Sequence, residues 1–468
     1  MAPMHDGLKQ VLETQGFDVN GVAAGTAAPI GILAGSGTLP VEIAGALAAQ
    51  GRSVYVVAID GSADKRLEAY PSENLNLGRV GAMLAAFRRA GCKELVIAGG
   101  LQRPDLLALR PDWGFVRRLG HVLASTRGGD DSVLRRVIHL FEREGFVIRG
   151  VGELVPELLS TGSAFGQCQP NDNDKAAMAR ARQVLDALGP FDLGQGVVAT
   201  ADRIVAVEGT RGTDAMLAEL GPGGSGAGQA RGGVLVKLAK PGQDMRIDLP
   251  TIGPVTVERA AAAGLAGIAV GAGSAIVLNR AMMVANADRA GLFVAGIVVA
   301  GREMSLPRTT GADARAIPVK PSMPVTPPEI LGRVAPTPSD RRDIAVARRL
   351  LPILKREAAG PAAVVAGEHV LAVAGALAIA PLIRPLGARR HWGLRAFRGR
   401  IGTLAIDLSP ASMQDAPPVR LDVELFRAVQ DARLAGVACF GAAIPESAKA
   451  DVIGWANEAK VFLMSELP

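Results

Sequence analysis

Histidine, cysteine and aromatic residues are scarce: five His, three Cys and 4% Phe, Trp and Tyr in 468 residues. Cys92, Cys168 and Cys439 lie far apart and form no CxxC pair. That excludes a disulfide framework and a zinc ribbon, and reads as reduced thiols in a cytosolic protein. His5, His121, His139, His369 and His391 show no HxxxH, HxH or HxD pairing, which removes a histidine-rich dimetal hydrolase site. There is no GxSxG elbow and no P-loop. The start, MAPMHDGLKQ, is polar and mixed in charge, unlike a signal peptide. The longest apolar windows, near 260–278 and 362–383, are broken by Gly, Pro or charged residues, so buried elements explain them better than a membrane span. A dense basic stripe is also missing. The formal charge is +6 with Lys and Arg scattered among acids, which suits anionic ligands and argues against nucleic acid as a partner.

What is present is small and aliphatic: 49% hydrophobic residues, with 57 Gly and 30 Pro. Such a chain builds real cores with many tight loops, and its length calls for two to four domains. Residues 1–28 read as an extension. "IGILAGSGTLPVEIAGALAAQG" is a strand, a glycine turn and a helix with Pro40 in its first turn, where a missing N–H costs nothing. "SVYVVAID", "GRVGAMLAAFRRAG" and "KELVIAGG" continue as strand, helix and strand. That alternation predicts a Rossmann-like parallel sheet over 29–157, of α/β class. An α/β domain with α+β character follows over 158–302. It has one long helix at "NDKAAMARARQVLDAL", two strands around an Ala-Asp turn in "GQGVVATADRIVAVEG", and further strands at "GGVLVKLAK" and "GIAVGAGSAIVLN". Residues 303–330, rich in proline, read as a linker.

Residues 331–468 read as a worn repeat of the second domain. "GQCQPNDNDKAAMARARQVLDAL" from Gly166 aligns without gaps to "GRVAPTPSDRRDIAVARRLLPIL" from Gly332, and "AGLAGIAVGA" from Ala263 aligns to "ARLAGVACFG" from Ala432. The apolar skeleton is kept in both copies and the polar residues are not. Gln195 becomes Pro361, Glu208 becomes Ala374, Asp214 becomes Ala380, Lys240 becomes Ser409 and Asp248 becomes Pro417. A fold requires its apolar periodicity. Charges dispensable in one copy are therefore candidates for chemistry in the other.

Several motifs fit such chemistry, each beside a plainer reading. In "GSGTLP", Gly35, Gly37 and Thr38 open a helix and let backbone N–H groups approach a phosphate. The third glycine of a dinucleotide fingerprint is replaced by Pro40, which disfavours an oxidoreductase, and a plain tight turn is the alternative. Asp60 could meet a ribose or cap a turn. Arg103 of "GGLQRPD" is placed to clamp a diphosphate, or to pair with Asp105 at the surface. Asp130 and Asp131 start an amphipathic helix and either cap it or meet a metal or a ligand hydroxyl. "VEGTRGTDAM" and "KPGQDMRIDLP", with Lys237 just ahead of the latter, supply Glu208, Arg211, Asp214, Lys237, Lys240, Asp244, Arg246 and Asp248. Carboxylates mixed with cations are what Mg²⁺-assisted phosphoryl chemistry requires; solvated salt bridges are the alternative. The basic stretch 384–400, with Trp392 and Phe397 interleaved, reads as a solvated insertion, with contact to an anionic membrane surface or nucleic acid as the alternative.

Taken in order, "GILAGSGTLPVEIA", "GGLQRPD", "GDD" before "LRRV", "VEGTRGTDAML" and "KPGQDMRIDLPTIGPVTVERAAAAGLAGIAV" resemble the UDP-2,3-diacylglucosamine pyrophosphatases of the LpxI type over about residues 29–302. The resemblance implies Mg²⁺-dependent hydrolysis of UDP-2,3-diacylglucosamine to UMP and lipid X in lipid A synthesis. It also implies a cleft between two domains and a cytoplasmic enzyme in transient contact with the inner membrane. Asp248, in "DLPTIG", falls on the family's catalytic aspartate. Asp214 and Glu208 are carried over as its helpers, with Asp248 and Asp214 on the metal. Gly35, Gly37, Thr38, Arg103, Asp130, Asp131, Lys240 and Arg246 are expected around the substrate. "AGSG" departs from the three glycines often found in the family. The region beyond residue 302 lies outside the family's usual length, and as a silent copy it is expected to pack on the active one like a second subunit. A non-catalytic nucleotide-sugar binding protein is the competing reading.

Overall fold

The computed structural model describes residues 28–100, 138–221, 232–240, 243–246, 248–298, 328–375, 379–388, 400–409 and 419–466. Three lobes follow one another. The first contains β1 (Ile30–Ala34), α1 (Leu39–Ala49), β2 (Val54–Ile59), β3 (Ser72–Leu75), α2 (Val80–Arg89), β4 (Glu94–Ala98), β5 (Val147–Ile148) and α3 (Val151–Leu154). Its strands form an all-parallel sheet in the order β3-β2-β1-β4-β5. Helix α1 packs on one face through Val41, Ile43, Ala44 and Leu47. The other face is covered by α2 through Met83, Leu84 and Phe87, joined by Phe141 and Phe146. A parallel sheet buried on both faces needs continuous apolar strands, and IGILA and ELVIA supply them. The chain is α/β, as its alternation predicts.

The second lobe runs through α4 (Asp172–Leu188), β6 (Gly196–Ala199), β7 (Ile204–Val207), α5 (Gly212–Leu220), β8 (Val234–Lys237), β9 (Thr251–Ile252), α6 (Pro254–Ala262), β10 (Gly267–Gly271), β11 (Ile276–Val277), α7 (Arg280–Ala290) and β12 (Phe293–Ile297). "GIAVGAGSAIVLN", read as one strand, is two: β10 in the main sheet and β11 paired with β9. The third lobe holds β13 (Glu329–Ile330), α8 (Pro338–Arg356), β14 (Ala362–Ala366), β15 (His369–Ala374), α9 (Ile379–Ala388), β16 (Thr403–Asp407), α10 (Val423–Asp431), β17 (Gly436–Phe440), α11 (Glu446–Glu458) and β18 (Phe462–Glu466).

The main sheets of these two lobes run β12-β10-β8-β6-β7 and β18-β17-β16-β14-β15, with β13 added at the edge of the latter. Equivalent strands pair in the same directions, antiparallel at the hairpin and at its next neighbour, parallel beyond. The hairpin bulges fall between Val198 and Ala199 and between Val364 and Val365, which are aligned positions. Asn171 and Asp174 cap α4 reciprocally, as Thr337 and Asp340 cap α8. Gly267 lies beside Phe293, and Gly436 beside Phe462; in each case a Cβ on the glycine would collide with the ring.

The two lobes share one core. Ala181, Val184, Leu185 and Leu188 of α4 belong to the same buried cluster as Ala347, Leu350, Leu351 and Leu354 of α8, position for aligned position. At the sheet edges the contact is reciprocal: a Cβ on Gly209 would lie 2.6 Å from the Leu371 carbonyl oxygen, and one on Gly375 would lie 2.8 Å from that of Val205. Val205 aligns with Leu371, and Gly209 with Gly375. Residue i on one side meeting residue j on the other, and j meeting i, is the mark of a twofold contact. Among the described residues no helix is long and apolar enough to cross a membrane.

Candidate active site

The first two lobes meet along α1, α3 and the segments around β9 and β11. Glu42 of α1 accepts the Asn279 N–H at 3.0 Å; burial pushes its carboxyl up, against the lowering effect of that bond. Arg280 donates to the Leu159 carbonyl at 2.7 Å, and Ser160 Oγ donates to the Gly271 carbonyl at 2.6 Å. Between the lobes lies a cavity of about 310 Å³ lined by Ser36, Gly37, Thr38 and Leu39, by Ile97–Gly100 and Val151, and by Arg246, Asp248, Leu249, Thr251, Ile276 and Leu278. Small-ligand sites have this size and this mix of apolar wall and few polar groups. It also sits at the carboxyl ends of β1 and β4, where open α/β sheets take ligands.

The first lobe contributes a glycine-built wall. Gly35 N–H donates to the Ala98 carbonyl at 2.8 Å, and Ser36 and Gly100 exchange backbone hydrogen bonds. A Cβ on Gly35 would press into the Gly100 carbonyl at 2.6 Å, so this close approach demands glycine. Gly37 has φ +93 with open space where a Cβ would stand. Thr38 makes no side-chain cap to α1. Helix α1 thus starts at the cavity wall with no Thr38 side chain capping its N-terminus.

From the second lobe come Arg246 and Asp248. Asp248 Oδ2 accepts from Gln195 Nε2 at 3.2 Å and from Gln243 Nε2. Arg246 lies between Asp244 at 2.7 Å and Glu142 at 2.8 Å, and those bonds, Asp244 first, hold its guanidinium pKa well above the usual value.

Gly37, Thr38, Arg246 and Asp248 therefore converge on one cavity, with Gly35 shaping its wall. Asp214, expected beside Asp248 on a metal, is not among the cavity residues. Its carboxylate pairs with Arg259 of α6 at 2.6 Å and is 58% exposed. Lys240 pairs with Asp192 at 2.7 Å and does not line the cavity. Arg103, Asp130 and Asp131 lie outside the described residues, as do nearly all of 1–28, 303–330 and 389–399.

Glu208 stands behind the cavity in a row of three. Its N–H donates to the Gly196 carbonyl at 2.8 Å, and Gly196 pairs in turn with Lys237. Opposed residues of antiparallel strands share a face, so Glu208 and Lys237 flank the bare surface of Gly196. A Cβ there would lie 2.5 Å from Glu208 Oε2, an oxygen that is buried with no hydrogen-bond partner among the described residues. Lys237, 8% exposed, donates to the Thr251 carbonyl at 3.0 Å, and Thr251 lines the cavity. Aligned positions in the third lobe are Ala374, Ala362 and Ile406. Lys237 was among the charges the motifs offered, but Gln195 and Gln243 were not expected in the site; the loss of Gln195 in the worn copy was the signal for that amide. Among the described residues no group of three or more His, Cys, Asp or Glu could hold a metal ion.

Two α/β lobes with a cavity between a glycine-built helix start and Asp248 place the chain among two-domain α/β proteins whose ligand site lies at the carboxyl edge of a parallel sheet. Comparison with known proteins narrows the class. The LpxI N-terminal domain family model matches residues 29–158, and the LpxI C-terminal domain model matches residues 161–295. The UDP-2,3-diacylglucosamine pyrophosphatase LpxI of Caulobacter vibrioides is 41% identical over 271 residues, 57% of this chain and 97% of that protein. The chain belongs to the LpxI family.

Proposed function

We propose that the chain hydrolyses the diphosphate of UDP-2,3-diacylglucosamine, releasing UMP and 2,3-diacylglucosamine 1-phosphate in lipid A synthesis. One observation carries the reading: the Gly37–Thr38 turn and Asp248 of "DLPTIG", more than two hundred positions apart in sequence, face one cavity. The open N-terminus of α1 supplies N–H groups and a positive dipole end for phosphate oxygens. Leu39, Ile97, Leu249, Ile276 and Leu278 offer an apolar wall for the start of an acyl chain. Arg246, fixed by its two carboxylates, borders the phosphates without swinging away.

Mg²⁺ fits the residues present, because it asks for one or two carboxylates and shares the phosphate oxygens; Asp248 would hold it. When bound, the ion offsets diphosphate charge and makes bound water more acidic. Asp214, engaged by Arg259, is left off the ion. Glu208 and Lys237 act from behind, Lys237 by fixing the Thr251 carbonyl and Glu208 by supplying counter-charge across Gly196. Arg103, Asp130 and Asp131 complete the substrate-binding set in this reading. An acylated substrate also calls for transient contact with the inner membrane surface from the cytoplasmic side.

The third lobe is, in this reading, a silent duplicate of the second that serves as scaffold. The test is UMP release from UDP-2,3-diacylglucosamine by the full chain with Mg²⁺. Asp248→Ala is expected to lower kcat at least ~10³-fold, the scale of losing a principal electrostatic group. Binding without UMP release by the native chain would make it a nucleotide-sugar binding protein instead.

A further inference from the structure

We propose that Gln195 and Gln243 are positioning residues, an amide clamp that sets the direction of the Asp248 carboxylate; the proposal rests on Asp248 acting as described above. Both amides donate to the same oxygen, Oδ2. The orientation of Gln243 is fixed by its own surroundings: its Oε1 accepts the Lys240 N–H at 2.7 Å, so its NH₂ end must face the aspartate. At 8% exposure the side chain has little room to turn. Gln195 is held from the sheet, since its carbonyl accepts the Leu238 N–H at 2.9 Å. The clamp therefore ties a loop carboxylate to a strand end on one side and to its own loop on the other.

The third lobe shows that the fold does not require this amide. Its equivalent backbone bond, from the Asp407 N–H to the Pro361 carbonyl, is present at 2.7 Å, yet residue 361 is a proline with no side-chain donor. The sheet keeps the backbone contact in both copies and the amide only beside the aspartate. A carboxylate that must meet a phosphate-bound ion and water gains from such preorganisation, because a shift of about 1 Å can cost on the order of 100-fold in rate.

The test uses the full chain with UDP-2,3-diacylglucosamine and Mg²⁺. Gln195→Met keeps length and removes the donor. It is expected to lower kcat roughly 10- to 100-fold, with KM within about threefold and the melting midpoint unchanged. Gln243→Met should act likewise. Gln195→Glu, equally long but without the amide's NH₂ donor, should not restore the rate. A second readout needs no turnover: in the Asp248→Ala chain, adding Gln195→Met should leave the calorimetric Kd for the substrate unchanged, because the amide acts through the aspartate. If both Met variants keep kcat within about twofold while Asp248→Ala is silent, the clamp is wrong and the site stands. A weakened Kd in the double variant would show that Gln195 touches substrate, which also overturns it. Native turnover by Asp248→Ala would bring down both the site and the clamp.

Discussion

The second and third lobes use one architecture to different ends. Around the hairpin, the second lobe carries Gln195, Gly196, Glu208 and Lys237, and the third carries Pro361, Ala362, Ala374 and Ile406. Strand order, pairing direction, bulge position and helix caps coincide. Four polar or open positions become closed and apolar, and the sheet does not notice. Folding in this domain thus rests on Val, Ala, Leu and Phe, and the charged row of the second lobe is a feature its fold bears for another reason. Buried charge is costly unless matched, so a Glu208 oxygen with no hydrogen-bond partner among the described residues, across Gly196 from Lys237, points to work rather than stability.

The largest expected effect comes from separating the lobes. A chain ending at residue 302 would bare the α4 face of Ala181, Val184, Leu185 and Leu188, now packed with α8. It should aggregate or self-associate through that face, as read by light scattering after size exclusion. A well-behaved monomer of native melting midpoint would mean that the third lobe is not scaffold. Next in size is a matched pair of core truncations. Phe293→Ala and Phe462→Ala remove equivalent rings, 3% and 1% exposed, and each should cost about 3–5 kcal/mol in denaturant unfolding. A large difference between the two would show that the lobes bear unequal shares of a common core.

Third comes a transplant of the worn row into the active copy. Gly196→Ala, Glu208→Ala and Lys237→Ile together should leave the melting midpoint at or above the native value, since apolar replacement of buried charge is often neutral or stabilising. The same chain should lose about 10- to 100-fold in UMP release, because the Thr251 carbonyl at the cavity loses its ammonium anchor. Loss of folding instead of rate would return the row to a structural role.

These contrasts also mark what the sequence can disclose. Strands such as IGILA and GVVA are legible because burial on both faces leaves only apolar residues, and α4 and α8 because their apolar spacing repeats. Strand β3, SENL, is not: three of its four residues face out or half out, so only its pairing to β2 reveals it. That Asp248 stands at the cavity agrees with the motif that singled it out. The place of Asp214 was not legible, because nothing local announces that Arg259, on another helix, takes its carboxylate. Lys240 and Asp192 are hidden for the same reason. Gln195 could be seen only as a difference between copies, since a lone glutamine before a strand carries no pattern of its own.

The last effect reverses the direction of the comparison, because here the third lobe holds the charge. Asp343 of α8 stands where α4 has Ala177. It is 1% exposed, accepts the Glu368 N–H at 2.7 Å, and leaves Oδ2 without a hydrogen-bond partner among the described residues. Burial pushes its carboxyl up to about 6; the N–H groups of Glu368 and Gly367 lower it, and Asp340 and Glu368 raise it further. A folded-state pKa above the unfolded one favours folding most when the group is protonated. The stability Asp343 allows is therefore full below about pH 4, by the unfolded carboxyl value, and is lost as pH rises through about 6. Asp343→Asn keeps the acceptor for Glu368 and removes the buried charge. It should raise stability by about 3 kcal/mol at pH 7.5 and by only about 0.5 kcal/mol at pH 4, read from unfolding curves at the two pH values. A gain that is equal at both would mean that ionisation of Asp343 is not what separates this position from the uncharged Ala177 of α4.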